Sequence, residues 1–318
     1  MKYLDISDND NTTELKSLLK KSFSSANINF LIGSGCSSED IAMYGTIEKK
    51  IDEMTDEELK KQKIKEFKQA VINPHQDLSK LCALKSVKQY KKFLQSLSCV
   101  LEKRENSVSL RKANIFTTNY DLFIEEASND IPIILNDGFE RKPNLLNKFK
   151  YSTNAFFNRT YNNGRLYNYN AEIPTINLLK IHGSLSWKKE NEDIVFSNEI
   201  SEQFIGIMPN NNKHEETLTK ECIYDLLRLY SNELDKENTI LVSVGFSFED
   251  SHIMKLTQRG LKNSTLGLFI VCCDSDAKKQ YELKFKNFNN VILIYDSKSL
   301  KFGFEQFTSI FSGIVKGI

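Results

Sequence analysis

The sequence predicts a doubly wound, Rossmann-like α/β fold, and three observations predict it. Short apolar, β-branched runs recur along the 318 residues, they do not alternate with polar residues, and helix-period segments separate them. Strands apolar on both sides need cover on both faces, so the expected sheet is parallel and flanked by helices. The strand runs fall at 29–32, 114–116, 131–135, 175–181, 239–244, 266–272 and 291–295. The helical segments fall at 13–24, 47–71, 87–105, 218–233, 250–260, 276–284 and 300–315. Two stretches break the alternation, and the chain reads as a single α/β domain over 1–318 that carries them as insertions. The first, about 40–110, is charged and helical, with Glu57, Glu58, Lys60 and Lys61 on a solvated face. The second, about 138–173, is rich in Asn and Tyr and interleaves Arg141, Lys148 and Arg159 with Phe149, Tyr151 and Phe157. Such a mixture can stack on bases, but it more often makes a small cap or a subunit contact.

Composition narrows the function classes. Hydrophobic residues make up 40% and charged residues 27%, which suits a soluble globule with a sizeable core. Forty-three Lys plus Arg against forty-two Asp plus Glu leave a net charge of +1, so the global electrostatic case for direct nucleic-acid binding is absent. The six cysteines contain no Cys-x-x-Cys pair and the four histidines no metal-ligand spacing, so no zinc module and no other bound metal are expected. The start MKYLDISDND lacks the features of a signal peptide, and no run approaches the roughly 20 apolar residues of a membrane span. A cytoplasmic location away from the membrane is the expectation.

The residues just after each apolar run carry the chemistry. Gly33-Ser34-Gly35-Cys36-Ser37 ends the first run in a glycine turn with small hydroxyl residues, a composition that lets backbone N–H groups approach a phosphate. It lacks the third glycine of the dehydrogenase fingerprint, and an ordinary tight turn would also explain it. Thr117-Thr118-Asn119-Tyr120-Asp121 ends the second in a series of polar groups, more than one helix cap requires. Lys180-Ile181-His182-Gly183-Ser184 places a histidine where an apolar strand stops. Gly245-Phe246-Ser247-Phe248-Glu249-Asp250 repeats the order glycine, hydroxyl, acid, and Cys273-Asp274 ends a further strand in a carboxylate. In an open α/β sheet the carboxyl ends of the strands converge on one crevice, so these segments are expected to share a site. Glycine turns suit phosphates and carboxylates suit ribose hydroxyls, which together describe a dinucleotide with a histidine at its reactive end.

With Asn136-Asp137-Gly138-Phe139 added, the ordered motifs resemble the sirtuin-like, or SIR2-like, domain of bacterial antiviral NAD-cleaving enzymes, from about 27 to 275. The resemblance implies that Gly33, Ser34, Gly35 and Cys36 line the pyrophosphate and ribose, with Thr118 on the same cofactor-binding side. It implies that Asn119 orients the attacking water or a ribose hydroxyl, that Asp121 faces the nicotinamide carboxamide, and that His182 is the catalytic base. Gly245 and Ser247 would hold the phosphate and adenosine ribose, and Asp274 the adenine side. Sirtuin deacylases continue their glycine motif into Gly-Ile-Pro-Asp-Phe-Arg, whereas Ser37-Ser38-Glu39-Asp40-Ile41 stands here, and their four zinc cysteines are absent. The expected activity is therefore hydrolysis of NAD itself to nicotinamide and ADP-ribose. The alternatives are a non-catalytic nucleotide-binding subunit and a protein deacylase or ADP-ribosyltransferase. Unrestrained NAD cleavage would kill the host, and the resemblance implies control through a homo-oligomer and a separate partner, a HerA-like ATPase or an Argonaute-type protein.

Overall fold

The computed structural model of the protein describes residues 1–41, 54, 56–104, 110–146, 148–163, 170–207, 216–299 and 301–315. The chain begins with β1 (Lys2–Asp5), α1 (Asn9–Ser25) and β2 (Asn27–Ile32), then α2 (Glu57–Ile72) and α3 (Lys85–Glu102). Next come β3 (Lys112–Thr117), α4 (Phe123–Ser128) and β4 (Ile134–Asn136). The short strands β5 (Phe139–Glu140), β6 (Lys150–Tyr151), β7 (Tyr161–Asn163) and β8 (Asn170–Glu172) precede β9 (Thr175–Lys180). After β10 (Trp187–Glu190) and β11 (Asp193–Phe196), the remainder alternates: α5 (Glu216–Asp235), β12 (Thr239–Val244), α6 (Ser251–Gly260), β13 (Leu266–Val271), α7 (Ser275–Phe285), β14 (Val291–Tyr295) and α8 (Phe304–Val315).

Eight strands form one sheet in the order β1-β14-β13-β12-β2-β3-β9-β4, and every pairing in it is parallel. The uninterrupted apolar runs have their physical reason here, since β9 and β12 are buried at all six positions. On one face Phe30 of β2 packs against Phe23 of α1 and Phe93 of α3, with ring centroids 6.1 and 4.9 Å away. On the other face Phe116 of β3 meets Tyr230 of α5 at 5.0 Å. Each fully buried phenyl group contributes about 1.5–3 kcal/mol, so the two faces hold the helix layers in place. A row of amides fixes the register inside the sheet: Asn114 donates to Asn29 (2.8 Å), Asn177 to Asn114 (2.9 Å) and Asn136 to Asn177 (3.1 Å).

The structure departs from the sequence reading at the margins. The run 131–135 becomes strand only at Ile134–Asn136, because Pro132 lacks a donor and the Ile131 amide is still bonded to Ser128 in the turn that closes α4. Strand β1 pairs in parallel with β14 and forms an edge of the sheet, though its KYLD sequence shows no apolar run. Of the expected helix 47–71, residues 47–53 and 55 lie outside the described residues, and α2 begins at Glu57 with Asp56 capping the Glu58 and Leu59 amides. The Asn/Tyr-rich stretch supplies β5 and β6, which join β10 and β11 in a small antiparallel sheet of order β10-β11-β6-β5. Among the described residues no helix is long and apolar enough to cross a membrane, and no group of three or more His, Cys, Asp or Glu could hold a metal ion.

Candidate active site

Four neighbouring strands end level with one another. Val244 of β12 pairs with Ile32 of β2, Ile32 with Thr117 of β3, and Thr117 with Lys180 of β9. The next residues in each chain segment are Gly245, Gly33, Thr118 and Ile181-His182, so motifs far apart in sequence stand along one rim. The sheet order also turns at this point, with β3 and β9 on one side of β2 and β12 to β14 on the other. The crevice at such a switch point is where open α/β sheets take ligands.

The two glycine turns touch backbone to backbone. A Cβ on Gly33 would lie 2.4 Å from the Gly245 carbonyl oxygen, and one on Gly35 would lie 2.8 Å from the Gly245 Cα. Gly245 has φ +65°, where other residues are strained, and a Cβ there would lie 2.7 Å from the Cys36 nitrogen. Gly35 donates to the Gly245 carbonyl at 3.0 Å, which locks the pair. Past Gly245, Phe248 adopts φ 56°, a strained value for a phenylalanine. Helix α7 holds this loop: Tyr281 donates to the Phe246 carbonyl (2.9 Å) and Lys284 to those of Ser247 (2.9 Å) and Phe248 (3.2 Å). Among the described residues no protein acceptor takes the Phe246 and Ser247 amides. The Cys36 side chain turns inward, where its thiol donates to the Val244 carbonyl at 3.3 Å and burial, helped by Asp121, pushes its pKa well up. Cys36 is thus a packing residue with its backbone at the rim and no reactive thiolate.

Asn119 is 2% exposed and sits beside the first glycine turn. Its Nδ2 donates to the Gly33 carbonyl (3.2 Å) and to Ser37 Oγ (3.2 Å), and lies 3.5 Å from the Tyr90 hydroxyl. Its Oδ1 is buried without a partner. Asp121 also faces into the protein: one carboxylate oxygen accepts from Ser37 at 2.9 Å and the other from the Phe123 amide at 3.2 Å.

His182 is half-buried, and its Nε2 lies 2.9 Å from Asp250 Oδ2. Asp250 Oδ1 caps α6 by accepting from the His252 (2.9 Å) and Ile253 (3.0 Å) amides. Burial alone would raise the Asp250 pKa, but the His182 hydrogen bond and charge and these amides outweigh it and hold the carboxyl at about 2. A carboxylate on Nε2 keeps the proton there, so Nδ1 carries the lone pair in neutral His182. Two further groups brace the loops on either side. Lys180 donates to the Asp121 carbonyl and to Ser184 Oγ (3.1 Å) and pairs with Glu125 at 2.7 Å. His75 accepts the Leu122 amide on Nε2 (3.0 Å), bonds the Val71 carbonyl through Nδ1 (2.9 Å), and stacks on Phe123.

The structure therefore gathers Gly33, Ser34, Gly35, Thr118, Asn119, Gly245 and His182 along one rim, with Asp121 turned beneath it. Ser247 is exposed two residues beyond Gly245. Asp274 stands apart from this network, and one of its oxygens caps α7 through the Asp276 (3.1 Å) and Ala277 (2.8 Å) amides. Sequence reasoning gave no role to Asp250 or Lys180, although each belongs to a motif, and it passed over Tyr90 and His75. Tyr90 and Lys180 showed only as polar residues inside a helix-period and a strand-like run, and His75 lies between the helical segments 47–71 and 87–105.

Fold and rim together define a doubly wound α/β protein whose strand ends gather two glycine turns, an asparagine and a histidine–aspartate pair. A family model of the SIR2-like domain matches residues 113–294. This span exceeds half of the chain and holds Asn119, His182, Gly245 and Asp250, and the chain belongs to the SIR2-like domain family. SIR2-like domains use NAD, and membership of the family points to NAD-related activity in general. No curated protein matches the chain.

Proposed function

We propose that this protein hydrolyses the N-glycosidic bond between nicotinamide and ribose in NAD, releasing nicotinamide and ADP-ribose. One observation carries the reading: His182 is bonded to Asp250 on the same loop whose Gly245 packs against Gly33 and Gly35. A dinucleotide lying over the glycine turns would bring its nicotinamide ribose toward the histidine. The glycine cradle and the two unpaired amides past Gly245 fit a pyrophosphate, and the unpaired acceptor of Asn119 fits a hydroxyl donor.

The chemistry asks little of the protein. Nicotinamide leaves as a neutral base, taking the electron pair of the C1′–N bond, so no proton has to be delivered to it. What remains is to stabilise an oxocarbenium-like ribose and to supply a nucleophile. A water attacks C1′ while Nδ1 of His182 takes its proton, a step typically worth about 10²–10⁴-fold. Asp250 holds the ring in the tautomer this requires. Asn119 orients the water or a ribose hydroxyl, Gly33, Ser34, Gly35, Cys36 and Thr118 border the pyrophosphate and ribose through their backbone, and Gly245 and Ser247 border the adenosine half. Asp121, with both oxygens engaged, would act through the loop it holds, and Asp274 would lie toward the adenine. In this reading the protein is the NAD-depleting effector of an anti-phage system, working as a homo-oligomer under a separate partner such as a HerA-like ATPase or an Argonaute-type protein.

Incubation of the protein with NAD alone, and chromatographic quantification of the products, tests the reading. Equal amounts of nicotinamide and ADP-ribose are expected. Nicotinamide release that needs an acylated peptide or an acceptor protein would assign it to deacylation or ADP-ribosyl transfer instead.

A further inference from the structure

Tyr90 belongs to α3, ahead of the matched SIR2-like region, in a segment that reads from sequence as an ordinary core helix. Its ring is fully buried and lies 4.9 Å from that of Phe304, but its hydroxyl is 3.2 Å from Ser37 Oγ and 3.5 Å from Asn119 Nδ2. Burial, reinforced by Cys36 and Asp121, raises its pKa well above the usual phenol value, so the hydroxyl keeps its proton.

The protons in this cluster can be assigned one by one. Ser37 has a single hydroxyl proton, and the Asp121 carboxylate, which can only accept, takes it at 2.9 Å. The Ser37 oxygen is then an acceptor for its other neighbours, so Tyr90 donates to it. The Asn119 amide consequently faces three oxygens that can accept from it: the Gly33 carbonyl, Ser37 Oγ and the Tyr90 oxygen. Turning this amide over would set its own oxygen against the Gly33 carbonyl, an acceptor facing an acceptor. The nitrogen end is fixed, and Oδ1 is left buried and unpaired on the opposite side.

We infer that Tyr90 is a positioning residue which, through Ser37, fixes the Asn119 amide so that Oδ1 is the end offered to a hydroxyl of the substrate. The inference rests on the proposed contact between Asn119 and the nicotinamide ribose or attacking water. It makes the helical segment before β3 a working part of the site, because α3 supplies a hydroxyl that holds Ser37 and Asn119 in place.

Tyr90→Phe removes only the hydroxyl and keeps the ring packing. Two readouts are taken in parallel with wild type and Ser37→Ala. The Asn119 side-chain amide pair is identified in ¹H–¹⁵N spectra by its loss in Asn119→Ala, and it is expected to shift and exchange faster with solvent in both Tyr90→Phe and Ser37→Ala. The kcat for NAD cleavage is expected to fall by about tenfold or more, with KM changed less than about twofold. An amide pair in Tyr90→Phe with wild-type shifts and exchange overturns the inference whatever the activity. Wild-type protein that leaves NAD intact overturns the proposed hydrolysis instead, and the amide readout still decides the role of Tyr90.

Discussion

At the rim of the parallel sheet, charge is scarce and each charged group is tied to a named neighbour. The Lys180 side chain is 4% exposed and spends its ammonium on Glu125, the Asp121 carbonyl and Ser184. In the small antiparallel sheet the opposite holds. Lys148–Glu190 and Lys150–Asp193 span its strands in solvent, with the lysine side chains 49% and 64% exposed. Both regions pair opposite charges, yet only the first loses heavily when a pair is broken, because a buried charge left behind keeps its desolvation cost while an exposed one is taken up by water. Basic residues of the Asn/Tyr-rich stretch are also engaged locally: Arg141 pairs with Asp137 and Lys142 with Glu140, both at 2.6 Å.

This contrast can be broken at graded cost. Lys180→Met should destabilise the fold by about 3–5 kcal/mol, since it strands Glu125 and frees the Asp121 and Ser184 turns; chemical denaturation measures it, and a loss under about 1 kcal/mol would mean that water reaches this pair. Asp250→Asn should leave the fold nearly intact, because asparagine caps a helix about as well as aspartate. NAD cleavage should nonetheless fall by about 10²-fold or more as His182 loses the carboxylate that sets its tautomer. Unchanged kinetics would detach Asp250 from the chemistry.

How much of this was legible in the sequence depends on what each residue does locally. Gly33, Gly245, Asn119 and His182 stand where apolar runs stop, so the change from strand to polar turn marks them. Asp250 stands in the same kind of turn, but its hydrogen bond to His182 joins residues 68 positions apart, and no local pattern announces it. Tyr90 lies in a helical segment whose periodicity is that of a core face and His75 in the short stretch between two helical segments, and a buried hydroxyl or imidazole there looks like packing. Strand β10 escaped notice because its Trp187–Glu190 segment has two lysines and no apolar run, whereas the short run Ile194–Phe196 of β11 was legible and was not read.

Smaller effects probe the same contrast between buried and exposed charge. Burial, partly opposed by Asp121, lowers the His75 pKa below its ordinary 6.5. Between that lowered value and 6.5 the unfolded chain binds a proton that the folded chain does not, so this contribution is complete above pH 6.5 and is lost as the pH falls through the window. Denaturation curves across it should show that decline in wild type and a weaker one in His75→Gln. Last, Lys150→Ala should change stability by less than about 1 kcal/mol and leave NAD turnover as it was; a larger loss would give the small sheet a load that its exposed ion pairs do not suggest.

The assignment of the histidine at the sheet rim is decided by nicotinamide release from NAD, measured for wild type and His182→Ala at equal concentration and with matching circular dichroism spectra. Steady release by wild type is expected, with a fall of about 10²-fold or more in the variant. Equal release by the two proteins, or none from wild type, would overturn it.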